Sequence, residues 1–99
     1  MIEVRQTTIF RQWLDGLADQ RAAARIAQRI VRLQAGLIGD VKPVGSGVSE
    51  LRVDYGPGYR VYFIRRGQML IILLCGGDKR SQRRDIARAQ ALAAELEVE

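Results

Sequence analysis

The side chains of this chain that could do chemistry are cationic and phenolic. Of its 16 Lys and Arg residues all but Lys42 and Lys79 are Arg, and four groups stand out among them. Lys79, Arg80, Arg83, Arg84 and Arg88 lie in one short stretch with a single acid, Asp85, directly after Gly76-Gly77-Asp78. Like charges spaced this closely repel unless an anion compensates them, and the two glycines leave the backbone room to approach a ligand. No Gly-Lys-Ser/Thr tail follows, so the segment is not a Walker loop. Arg52 and Arg60 flank the turn Tyr55-Gly56-Pro57-Gly58. Two guanidiniums on adjacent strands suit bidentate recognition of a phosphate. They suit equally a cross-strand ion pair, such as Arg60 with Glu50 or Asp54. Arg21, Arg25, Arg29 and Arg32 recur at helical spacing, either as a solvated helix face or as a docking surface for an acidic or phosphate-bearing partner. Arg65-Arg66, in a turn, reads as a solubility feature. Tyr55, Tyr59 and Tyr62 surround the Arg52/Arg60 turn, where their rings can stack on unpaired bases or simply pack within strands.

The missing residue types are as informative. With no His and one Cys, the chain can form neither an internal disulfide nor a zinc site of the usual Cys/His kind, and imidazole-based catalysis is excluded. Neither a metal nor another cofactor is implied. Cys75, at the end of an apolar run, reads as structural, and Trp13 as a core residue. The formal charge of +5 favours anionic partners such as nucleic acid or acidic protein segments. Met1–Leu14 holds Glu3 and no apolar core of signal-peptide length. The longest apolar run, Met69–Cys75, is far short of the ~20 residues that a membrane helix needs. A soluble cytoplasmic protein without membrane contact is expected.

These side chains need a scaffold, and 99 residues make one domain with one modest core. Ile2 and Val4 alternate with Glu3 and Arg5, predicting a short strand. Thr7 or Thr8 can cap a helix carrying the stripe Phe10, Trp13, Leu14, Leu17. Asp19 can cap a second, with Ile26, Ile30, Leu33 and Leu37 on one face and Gly36 and Gly39 at its end. Residues 40–49, with Pro43, Gly45 and Gly47, read as a surface loop. The period then changes from 3.6 to 2. Leu51 and Val53, then Val61 and Phe63, alternate with a second set comprising Glu50, Arg52, Asp54, Arg60 and Tyr62, which should occupy the more open sheet face. Met69–Cys75 is apolar on both faces and predicts a central strand. Asp78 or Ser81 can cap a last helix from Gln82 to about Leu96, with Ile86, Ala89, Ala93 and Leu96 inward. The expected fold is α+β, β-α-α-β-β-β-α, with a helical hairpin and a C-terminal helix packed on a mainly antiparallel four-stranded sheet.

This element order, the segment Leu51-Arg52-Val53-Asp54-Tyr55-Gly56-Pro57-Gly58-Tyr59-Arg60-Val61-Tyr62-Phe63 and the segment Leu73-Leu74-Cys75-Gly76-Gly77-Asp78-Lys79 resemble the RelE/ParE toxin superfamily of type II toxin–antitoxin systems. The likeness is greatest to the small addiction module killer proteins related to RelE and HigB toxins, whose opening Thr8-Ile9-Phe10…Trp13-Leu14…Leu17 also fits. The resemblance implies a growth-inhibiting toxin neutralised by a cognate antitoxin, typically a helix-turn-helix protein of the same operon. In RelE-type members the toxin enters the ribosomal A site and cuts mRNA through attack of a 2′-hydroxyl on the adjoining phosphate. In ParE-type members the target is DNA gyrase and no RNA is cut. By position, Arg60 matches the arginine that contacts the scissile phosphate, and Arg52 a basic position on the preceding strand. Lys79 and Arg80 fall in the basic segment after the last strand. Arg60, Arg52 and Lys79 are the expected catalytic residues of an endoribonuclease, with Arg80, Arg83, Arg84, Tyr55, Tyr59 and Tyr62 binding RNA. The tyrosine or histidine that such toxins often carry near the start of the last helix is replaced by Ser81-Gln82-Arg83-Arg84. A general base then falls to Lys79, to Asp78 or Asp54, to a tyrosine, or to the ribosome.

Overall fold

A computed structural model describes the backbone of residues 1–98 and the side chains of residues 1–96. Thr7 caps the first helix as expected, its hydroxyl accepting from the Phe10 amide, and Asp19 caps the second, accepting from the Arg21 and Ala22 amides. The order along the chain is β1 (Glu3–Gln6), α1 (Thr8–Asp15), α2 (Gln20–Gln34), β2 (Val41–Gly45), β3 (Val48–Val53), β4 (Tyr59–Arg66), β5 (Leu70–Asp78), a 3-10 turn (Lys79–Ser81) and α3 (Gln82–Val98). The strands form one sheet in the order β1-β5-β4-β3-β2. All neighbours are antiparallel except β1, which runs parallel to β5. No helix among the described residues is long and apolar enough to cross a membrane.

The sheet therefore has five strands, one more than expected. The added strand, β2, lies in the segment that reads as a loop. Its two apolar residues, Val41 and Val44, stand three apart and so face opposite sides of the strand, and a bulge interrupts its pairing between Pro43 and Gly45. Val41 packs into the core under α2 and Val44 into the core under α3, so no period of 2 exists for the eye to find. Pro43 is tolerated because β2 is an edge strand. The β2–β3 connection is the tight turn Ser46-Gly47, with both residues at positive φ (57° and 76°), as a two-residue hairpin turn of right-handed twist requires.

Both sheet faces are covered. Leu51, Val53, Val61, Phe63, Ile71 and Leu73 meet Phe10 of α1 and Ile26, Ile30 and Leu33 of α2. On the other face Val48, Tyr62, Ile64, Ile72, Leu74 and Cys75 meet Ala89 and Ala93 of α3, whose small side chains allow close packing. The face expected to be open thus carries α3. Tyr62 lies fully buried beneath it. The apolar-on-both-faces reading of β5 holds, since that strand sits between β1 and β4 and feeds both cores. A bulge against β4 pairs Tyr62 with Cys75 but Phe63 with Leu73, so the consecutive residues Leu74 and Cys75 both enter the α3 core.

The two glycines read as room for a ligand lie inside β5, and side chains of the chain itself fill that room. A Cβ on Gly76 would overlap the Trp13 indole on one face, and a Cβ on Gly77 would overlap the Asp85 carboxylate on the other. Gly76→Ala is expected to displace Trp13 and cost about 1–3 kcal/mol, as overpacking of a tight core does. Urea unfolding should show this as a lower midpoint at unchanged slope; an unaltered midpoint would mean that the indole is not seated over Gly76.

Candidate functional site

The site grows from a buried carboxylate. Glu50 is paired with Tyr62 across β3 and β4, and its side chain is completely buried. One of its oxygens, Oε1, accepts from Arg52 Nε at 3.0 Å and lies 3.5 Å from Arg60 Nε; the other, Oε2, accepts from Gln82 Nε2, at the start of α3, at 2.8 Å. Burial alone would push the Glu50 carboxyl up. The hydrogen bonds from Arg52 and Gln82 and the charges of Arg60 and Arg52 outweigh burial and hold it below its ordinary value. Of the two expected readings of Arg52 and Arg60, the ion pair is present, with Glu50 and not Asp54 as its acid. It does not consume the pair. Two guanidiniums share one carboxylate, and Arg52 keeps 38% of its side-chain surface exposed, Arg60 12%.

Arg52 and Arg60 are direct cross-strand partners, and Gly77 on β5 continues the row. Arg60 Nη1 also donates to the Gly58 carbonyl at 2.9 Å. Asp78 ends the strand and caps the 3-10 turn, accepting from the Arg80 and Ser81 amides at 2.9 and 3.3 Å. That turn brings Lys79 to the same cleft of about 260 Å³ as Arg52 and Arg60, with Tyr59, Asp54 and Asp40 also in its wall. The three expected catalytic residues therefore do meet. Arg80, Arg83 and Arg84 do not join them: they line a neighbouring open groove of about 690 Å³ with Asp78 and Ser81.

Tyr59 is the one tyrosine of the three that lines the Arg52/Arg60 cleft. Burial, then the nearby Asp19 and Asp78, raise its hydroxyl above the ordinary tyrosine value, so it is a proton donor and not a base near neutrality. Tyr55 has one ring face under the Arg25 guanidinium, 4.7 Å from the ring centroid. Tyr62 has no ring face to offer a base, because it is in the core; its hydroxyl has no hydrogen-bond partner among the described residues and is held protonated by burial. Two of the four α2 arginines are also committed. Besides Arg25, Arg29 donates from Nη1 to the Arg52 carbonyl at 2.9 Å and so props β3 from behind. Arg66, expected to serve solubility, donates to the Leu96 carbonyl in the last turns of α3. Cys75 is buried, and burial followed by the nearby Asp85 pushes its thiol up to about 11, which fits an inert structural residue.

Sequence reasoning missed Gln82 as a ligand of Glu50, and Asp85, which is 7% exposed and accepts from the Ser81 hydroxyl. Only the phase of Glu50 with Arg52 hinted at the first of these. Nothing in the spacing of α3 pointed to the second.

The fold is thus a mixed sheet sandwiched between a helical hairpin and a C-terminal helix, with a guanidinium-lined cleft at one end of its strands. The crystal structure of the toxin–antitoxin complex RelBE2 from Mycobacterium tuberculosis contains a chain with this fold, at a TM-score of 0.64 and 22% identity over 79% of this chain and 98% of that one. Residues 12–95 match the family described as "Phage derived protein Gp49-like (DUF891)", and the chain belongs to that family. An uncharacterised protein of Haemophilus influenzae is 50% identical over 95 residues, 96% of either chain.

A carboxyl whose value is lowered on folding contributes stability above its unfolded value and loses it as pH falls through the folded one. The protein is therefore expected to lose stability as pH drops below the ordinary glutamate range of about 4.5. Glu50→Gln should lower the thermal midpoint at pH 7 and flatten its fall in acid. A variant as acid-sensitive as the parent would assign that sensitivity to other carboxyls.

Proposed function

We propose that this Gp49-like chain is the toxin of a type II toxin–antitoxin pair and that it inhibits growth by cutting mRNA on the ribosome. The observation that carries the reading is the meeting of Arg52, Arg60 and Lys79 in one cleft, with both guanidiniums oriented by a buried carboxylate. Such fixed donors suit the developing charge of a phosphoryl-transfer transition state, because they need no reorganisation when that charge appears. The 2′-hydroxyl of one nucleotide attacks the adjoining phosphorus, and the bond to the 5′-oxygen of the next nucleotide breaks. The products are a 2′,3′-cyclic phosphate and a 5′-hydroxyl. Arg60 and Arg52 hold the non-bridging oxygens. Of the two carboxylates considered as bases, Asp54 lines this cleft, whereas Asp78 is engaged in capping the 3-10 turn. Asp54 takes the 2′-hydroxyl proton, and Lys79 gives one to the leaving oxygen. The matching fold within the RelBE2 toxin–antitoxin complex supports an antitoxin partner for this chain as well.

Induction in bacteria followed by mapping of transcript 5′ ends is expected to reveal codon-phased cuts. Arg52→Gln and Arg60→Lys should each reduce them about 100-fold, in line with loss of one preorganised donor. Circular dichroism of the purified variants checks that the fold is retained, which matters for both because each arginine pairs with the buried Glu50. Intact transcripts together with an SOS response would overturn the reading in favour of a gyrase-directed toxin.

A further inference from the structure

Gln82 opens α3 in the middle of a run of cations, between Arg80-Ser81 and Arg83-Arg84, and is itself uncharged and partly buried. Its backbone amide donates to the Lys79 carbonyl and so closes the 3-10 turn that carries Lys79 into the cleft. Its side-chain Nε2 donates to Glu50 Oε2 at 2.8 Å. An ionised carboxylate only accepts, so the amide must turn its nitrogen and not its oxygen toward Glu50. Gln82 is thereby bonded to both devices that place the cleft cations, the turn for Lys79 and the buried carboxylate for Arg52 and Arg60.

The other oxygen of Glu50 has two claimants. Oε1 accepts from Arg52 Nε at 3.0 Å, while Arg60 Nε stands 3.5 Å away, buried and with no hydrogen bond of its own among the described residues. The remaining hold on the Arg60 guanidinium is the bond from Nη1 to the Gly58 carbonyl. Its position is therefore sensitive to where Oε1 points. The last torsion of a glutamate is broad and two-fold, so a carboxylate held at one oxygen can swing. With Oε2 tied to α3, that rotation is blocked and Oε1 stays within reach of both Nε atoms. An amide suits this task because it supplies an N–H without a charge, whereas a cation at position 82 would compete with the arginines for Glu50. We propose that Gln82 is a positioning residue of the cleft, acting through Glu50 on the alignment of Arg52 and Arg60. Its effect on reaction rate rests on the RNA-cleavage reading, while its effect on the guanidiniums is measurable without cleavage.

Arg52 Nε–H, bonded to a buried acceptor, should exchange slowly with water and give a resolved signal in the nitrogen–proton spectrum of the labelled protein, assigned by its loss in Arg52→Gln. Gln82→Met keeps the side-chain length and removes the donor. It should shift that signal and speed its exchange, while the backbone amides keep the dispersion of the fold. On ribosomes programmed with a defined transcript it should lower kcat about tenfold, the scale on which partners of a site's own ligands act. KM should not change, because the alignment counts when charge develops in the transition state. Gln82→Asn retains the amide but is one methylene short of Oε2, so it should act in the same direction and serves if Gln82→Met does not fold. A residue that only seats α3 would lower the unfolding midpoint and leave the Arg52 signal and the kcat of the folded protein as they are. An unmoved Arg52 signal in a folded variant overturns the proposal, as does an undiminished kcat where the parent cuts. The two readings fail separately. A parent that cuts nothing, with the Arg52 signal moved by Gln82→Met, removes the nuclease and leaves the positioning role standing. A parent that cuts, with that signal unmoved, does the reverse.

Discussion

The structure depends on a single carboxylate kept out of water. Moving an ion into a protein interior costs several kcal/mol even after relaxation, and Glu50 meets that cost by drawing in partners from three elements. Arg52 comes from its own strand, Arg60 from β4 and Gln82 from the first turn of α3. The pair is a poor guide to net stability, since buried ion pairs often exchange for apolar residues without loss. Its consequence is geometric. Long flexible arginines would otherwise sample many rotamers, and here both Nε atoms lie within 3.5 Å of one carboxylate oxygen, while Arg60 Nη1 is held by the Gly58 carbonyl. Lys79 adds a third cation to the cleft, and Asp54 and Asp40 stand in its wall beside it.

The same economy governs the end of β5. Gly76 and Gly77 lack side chains, and that gap is what lets Trp13 press on one face of the strand and Asp85 on the other. The bulge at Leu74 and Cys75 sets the phase that sends each glycine to its side. Asp78 then turns the chain sharply enough to separate Lys79, on the guanidinium side, from the arginines of α3. Arg29 and Arg25 brace the β3–β4 region from the α2 side, through the Arg52 carbonyl and the Tyr55 ring. The cationic surface of this chain is thus partly structural, and what is left for a ligand is narrower than the charge count suggests.

Elements with an unbroken period were legible. Both capped helices of the hairpin, the β3–β4 alternation and the doubly buried β5 are where their apolar spacing puts them. The edge strand β2 was not legible, because its two valines stand three apart on opposite faces and Pro43 argues for a loop. The parallel pairing of β1 with β5 was equally hidden, since strand direction leaves no mark on alternation. Within the site, Arg52 and Arg60 were recognisable as a pair from their phase, and of the two readings the structure contains the ion pair, with Glu50. Tyr62 shares their phase, yet α3 covers it and leaves them open.

By itself the sequence determined that the chain is basic, follows an α+β pattern and holds no imidazole and a single thiol, and that guanidiniums gather on β3, β4 and after β5. Composition and period suffice for that, because they act locally. Only the tertiary structure decided which cations share a cleft, which are spent on carbonyls and aromatic rings, and where the glycine gap is filled. Those outcomes depend on how far α3 extends over the sheet and where the bulge falls, and both are set by packing between residues distant along the chain, as Gln82 against Glu50 and Trp13 against Gly76 illustrate.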